Sequence, residues 1–195
     1  MPHTQAAAPL PAMIPYEVAP RVETRGPCGI AALAAAIEAA CRADGVVEPG
    51  CVTAALTRAA TDPGLLSSAQ RATHAGGYAR HVLHADPGGR FTILAIVWGA
   101  GQFSPAHAHD TWCAYAVHDN PLHETTFRLD TSGEHAEVLR TDVREPGYSC
   151  FAGAGLDQIH RLGNSGPRTA ISIHVYGVPR ERIATHVNRL VTVAT

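Results

Sequence analysis

The stretch Gly101-Gln-Phe-Ser-Pro-Ala-His107-Ala-His109 decides how this chain is read. It follows the apolar run Phe91 to Trp98 and is answered downstream by His160 and by Ser172-Ile-His174-Val-Tyr176. Side chains alternate across a pleated strand, so two imidazoles one residue apart point the same way. A third histidine from a later strand completes a three-nitrogen face suited to iron, zinc, copper or nickel, with other positions open for a substrate. The pattern points to a catalytic metal rather than a sealed structural one.

The run Thr169 to Tyr176 has a sharp phase. Ile171, Ile173 and Val175 share one face, and Ala170, Ser172, His174 and Tyr176 share the other. The apolar face is expected to pack against a second sheet or an outer helix. The opposite face sets a hydroxyl, an imidazole and a phenol in a row, about 7 Å between successive members. Burying three polar groups unpaired is costly, so they must be hydrogen-bonded to something, and a wet or ligand-filled cavity is the simplest partner.

Around these motifs, Tyr78 to His84, Phe91 to Trp98, Trp112 to His118, Leu122 to Leu129, Ala136 to Arg140 and Thr169 to Tyr176 read as strands. Asp86-Pro-Gly-Gly, Asp119-Asn120-Pro121, Thr131-Ser-Gly133 and Glu145-Pro-Gly147 supply the turn chemistry between them. Upstream, Gly29 to Arg42 has helical spacing, Pro49 opens a second helix to about Ala60, and Pro63 opens a shorter third to about Thr73. Residues 1–27 are rich in Pro and Ala and read as an irregular arm. Residues 28–195 read as one domain, helical over about 28–75 and a β-barrel over about 76–180. The expected fold class is mainly β, a small barrel or jelly roll with an N-terminal helical cap.

A chain of 195 residues buries roughly 70% of its unfolded surface as one domain. With 15 Lys plus Arg against 17 Asp plus Glu, the formal charge of −2 favours neither nucleic acid nor an anionic membrane as partner. No apolar run is long enough to span a bilayer and the N-terminus has no signal-like core, so a cytoplasmic protein is expected. The five cysteines are widely spaced with no C-x-x-C pair, which argues against a disulfide scaffold or zinc ribbon. Small molecules remain the expected ligands.

The spacing of Gly101, His107-x-His109, His160 and Asn164 resembles the two motifs of the cupin superfamily. That pattern usually places an acidic ligand four or five residues after the second histidine, where this chain has Cys113 and Ala114. A cysteine there, with three histidines left, is similar to the thiol dioxygenases of the cysteine dioxygenase type. The Ser172-x-His174-x-Tyr176 row resembles that family's triad, and the likeness runs from about Tyr78 to Gly177.

The resemblance implies Fe(II) held by His107, His109 and His160, and a cupin barrel that converts L-cysteine and O2 to cysteine sulfinic acid. It implies that Tyr176 faces substrate, that His174 orients the phenol and that Ser172 fixes the imidazole tautomer. Arg80 stands where cysteine-using relatives carry an arginine; a guanidinium fork matches a substrate carboxylate. Arg168, Arg180 and Arg182 are rivals for that role, and Asp157 is a rival ligand. Cys113 and Tyr176 are the candidate pair for the thioether found in some relatives, although Cys113 lies one residue short of the crosslinked spacing. Ala108 replaces an aspartate common between the paired histidines. Other readings are a dioxygenase for 3-mercaptopropionate or another small mercapto-acid, a non-enzymatic metal-binding sensor, and a zinc or nickel isomerase or lyase. Oligomeric state is left open by the sequence.

Overall fold

A computed structural model describes residues 29–42 and 44–194; the arm expected over residues 1–27 lies outside them, as does Cys28. Two helices come first, α1 (Ile30–Ala40) and α2 (Pro49–Ala60). Ten strands follow: β1 (Ala79–Ala85), β2 (Thr92–Trp98), β3 (His107–His109), β4 (Cys113–Asp119), β5 (Leu122–Leu129), β6 (Ala136–Arg144), β7 (Ser149–Ala152), β8 (Gly155–Gly163), β9 (Ala170–Tyr176) and β10 (Asn188–Leu190). They form two five-stranded sheets, ordered β1-β2-β9-β4-β7 and β10-β3-β8-β5-β6, with antiparallel pairing throughout.

The two helices explain why β2 and β9 are buried on both faces. Leu33 and Ile37 of α1 and Val52 and Leu56 of α2 pack against Ile93, Ala95 and Val97 of β2 and Ile171, Ile173 and Val175 of β9. The apolar face of β9 thus meets helices, and the polar face looks between the sheets. There Ile96, Trp98, Tyr115 and Val117 of the first sheet meet Leu122 and Leu162 of the second.

The helix expected from Pro63 to Thr73 is absent; only a short 3-10 turn at Ala69–Arg71 forms. Side chains compete with the helix there: Asp62 accepts from the Gly64 amide at 2.9 Å and Gln70 from the Ser67 amide at 2.9 Å. The strand expected to end at Arg140 runs on to Arg144. The segment after Ile183, which carries no readable function in the sequence, supplies β10 beside β3.

Candidate metal centre

The three histidines meet because of pairing register. His107 and His109 lie on one face of β3, and His160 of β8 stands directly opposite His107. A regular ladder would then bring Gln158 opposite His109, but Gly155 stands there, so β8 bulges just before His160. Gly155 has φ +123°, a conformation that favours glycine. The imidazole nitrogens of the three residues lie within 4.8 Å of one another, the one such cluster of His, Cys, Asp or Glu among the described residues.

Hydrogen bonds select which nitrogen faces inward. His107 Nδ1 pairs with the Pro105 carbonyl at 2.9 Å and His160 Nδ1 with Glu124 Oε1 at 2.8 Å, which leaves each Nε2 as the lone-pair atom. The Nε2 atoms of His109 and His160 are 3.2 Å apart. Two nitrogens bound at about 2.1 Å to one ion, at right angles, would be about 3 Å apart, so the spacing fits a cation between them. Burial, reinforced by neighbouring His160 and His109, holds His107 down at about 2. Burial and His160 hold His109 down at about 3. Both rings are therefore neutral donors at ordinary pH. His109 Nδ1 is buried without a hydrogen-bond partner, facing the Val187 carbonyl and Asn188 of the C-terminal segment.

Glu124 was not singled out from the sequence. Its side chain is fully buried, and besides His160 it holds Arg144, whose Nε donates to Oε2 at 2.8 Å. Burial alone would raise this carboxyl, but His160 and Arg144 together hold it at about 2. The legible signal was phase: Leu122, Glu124 and Thr126 share the inward face of β5, where a carboxylate must find partners.

Across the cavity the β9 row forms a continuous chain. Trp98 Nε1 donates to Ser172 Oγ at 2.9 Å, Ser172 Oγ lies 2.8 Å from His174 Nε2, and His174 Nδ1 lies 3.2 Å from the Tyr176 hydroxyl. Burial pushes His174 well below its ordinary range, so the ring is neutral. The Tyr176 ring sits 5.8 Å from that of His109, which brings the row to the histidine cluster.

Residues 70–189 match the family cysteine dioxygenase type I. This chain belongs to that family. A Klebsiella pneumoniae protein with a double-stranded beta-helix domain is 17% identical over 61% of this chain and 93% of its own, with a TM-score of 0.44. An RmlC-like cupin of Methanocaldococcus jannaschii is 11% identical over 57% of this chain and 89% of its own, with a TM-score of 0.41. Oxalate oxidase in complex with the substrate analogue glycolate is 18% identical over 60% of this chain and 61% of its own, with a TM-score of 0.43. Two five-stranded antiparallel sheets behind N-terminal helices match the mainly β class that the sequence predicts.

Seen as a member of the cysteine dioxygenase family, the chain brings together most of the residues its sequence singled out. Cys113 stands directly opposite Tyr176 across β4 and β9. Asp157 is exposed on β8 and is not part of the histidine cluster. Arg80 is exposed on β1; its Nη2 donates to the Tyr78 hydroxyl at 2.9 Å, and its charge disfavours protonation of His107 and His174. Trp112 packs with the helix-side cluster and stacks on Phe151 at 5.7 Å.

Beside the histidines lies a cavity of about 20 Å³ lined by residues including Cys113, Tyr115, Glu124, Cys150 and His160, room for about one water. A larger cleft of about 330 Å³, at the far end of β4, is lined by Arg71, His118 and Asp119 and includes none of the three histidines. Among the described residues no helix is long and apolar enough to cross a membrane.

Proposed function

We propose that this protein is a mononuclear Fe(II) thiol dioxygenase that oxidises L-cysteine with O2 to cysteine sulfinic acid. The observation that carries this reading is the convergence of His107, His109 and His160 beside the Ser172–His174–Tyr176 row, in a chain of the cysteine dioxygenase type I family. The thiol is the electron source, and both oxygen atoms end on its sulfur, so no external reductant enters the balance. Iron held by the three imidazoles would supply the affinity for thiolate sulfur and the redox chemistry toward dioxygen.

The chain's own residues bind and orient. Tyr176 directs its hydroxyl to the reacting thiol, His174 orients the phenol and Ser172 holds the imidazole. Arg80 grips the substrate carboxylate with its guanidinium fork. A mercapto-acid such as 3-mercaptopropionate carries the same carboxylate, so Arg80 serves either substrate. The paired Cys113 and Tyr176 are positioned for a thioether, which peptide mass analysis would reveal as the loss of two hydrogens. The reading places the enzyme in the cytoplasm, where small thiols stay reduced.

Oxygen uptake by iron-loaded protein against cysteine, 3-mercaptopropionate and cysteamine tests this function. Uptake with cysteine, stoichiometric sulfinate and its loss in His107→Ala together with bound iron are expected. A His107→Ala protein that keeps full iron and full turnover would refute the ligand assignment. Uptake confined to 3-mercaptopropionate would transfer the substrate.

A further inference from the structure

The donor set raises a question of charge. Three imidazoles face the cation position, and no carboxylate joins them: Cys113 and Ala114 stand where the related motif carries an acid, and Asp157 is exposed on β8 outside the cluster. Yet one carboxylate is buried within a single hydrogen bond of the cluster. Glu124 lies diagonal to His160 across β5 and β8, Arg144 lies diagonal to Glu124 across β5 and β6, and the chain His160–Glu124–Arg144 steps across three strands.

Nothing in that chain is loosely held. Arg144 is anchored by Asp142 at 3.0 Å and lies over the Tyr148 ring at 4.4 Å. An isolated carboxylate would not remain charged at zero exposure, so the arginine is what allows it to stay anionic. A group introduced only to neutralise Arg144 would have no reason to spend its second oxygen on an imidazole. Glu124 does both, and the imidazole is one whose opposite nitrogen faces the other two histidines.

We infer that Glu124, backed by Arg144, is a positioning residue that acts through His160. It fixes the ring with Nε2 inward and delivers to the centre the negative charge that the all-imidazole donor set lacks. A carboxylate bound to the far nitrogen makes an imidazole a stronger donor, and such partners typically alter metal affinity ~10–100-fold. The added charge also favours the ferric over the ferrous ion, so removing it should raise the midpoint potential. This inference rests on the metal-centre reading above.

The test compares wild type, Glu124→Gln, Glu124→Asp and the double variant Glu124→Gln/Arg144→Gln. Fe(II) and Zn(II) dissociation constants come from chelator competition, and the Fe(III)/Fe(II) midpoint potential is measured without substrate. Glu124→Gln should bind both ions ~10–100-fold more weakly and show a higher potential, and Glu124→Asp should recover part of both losses. The double variant, which removes both buried charges and so folds even if Glu124→Gln alone does not, should stay weak. Wild-type affinity and potential in Glu124→Gln would overturn the inference, as would a double variant restored to wild-type binding, since Glu124 would then merely neutralise Arg144. A wild-type protein that binds no stoichiometric metal, or a His107→Ala variant that binds as well as wild type, would instead defeat the metal centre itself.

Discussion

Tyr176 ends a run of hydrogen bonds that begins at an indole. Trp98 Nε1 can only donate, so its bond into Ser172 leaves the serine proton free for His174 Nε2, the His174 Nδ1 proton for the phenol oxygen, and the phenol proton for a neighbour in the cavity. Tyr176→Phe deletes only the last donor. Iron content should stay at the wild-type level while kcat falls by ~10² or more, the range for a positioned proton donor; an unchanged kcat would make the phenol a packing residue. In the proposed function Arg80 acts on binding instead. Arg80→Gln should raise KM for cysteine by ~10-fold or more, the worth of a charge-assisted pair, and leave cysteamine, which has no carboxylate, nearly unaffected. Equal effects on the two thiols would remove Arg80 from the substrate site.

At the scale of elements, turns and bulges do what strand phase alone does not. The β1–β2 turn is built on Asp86, whose carboxylate takes three hydrogen bonds from Arg90, while Arg90 reaches Glu38 of α1 at 2.7 Å. Hydrogen bonds from the Arg90 side chain, partly opposed by burial, hold Asp86 at about 2. A depressed carboxyl contributes stability that is complete above its unfolded value near 4 and is lost as pH falls toward 2. Asp86→Asn should therefore cost on the order of 2 kcal/mol at neutral pH, with the gap closing between pH 4 and pH 2 in denaturant titrations. A gap constant across that range would show that the charge is not what stabilises the turn.

Strand phase made the inward row of β9 and the paired histidines of β3 legible, because both follow a period of two without interruption. The strand of His160 was not legible. Its bulge breaks the period, and the adjacent exposed Leu156 and Asp157 interrupt the alternation of buried and exposed residues. Glu124 was missed for a related reason: its meaning depends on Arg144 and His160, which lie 20 and 36 residues away and meet it only through register. The short helix expected after Pro63 failed to local hydrogen bonding that propensity does not weigh.

The whole molecule separates stability from chemistry. The largest apolar cluster joins the helical cap to the outer face of β2 and β9 and contains none of the three histidines or the Ser172, His174 and Tyr176 row. Ile37, fully buried in that cluster, is a handle on one without the other. Ile37→Ala should lower unfolding free energy by ~2–5 kcal/mol while iron stoichiometry at 25 °C stays intact; loss of iron in the folded variant would show that the cap and the centre are coupled.

The barrel's hem is sewn by β10. Asn188 and Leu190 face His109 and His107 across β10 and β3, the Asp110 and Val191 amides close bonds with Val187 and Ala106, and Arg189 ties to Asp110 at 2.9 Å. A β3 of three residues has little else on that edge. Cutting Asn188–Leu190 away from β3 would thus loosen the strand that holds two of the three histidines in line without altering any reacting group.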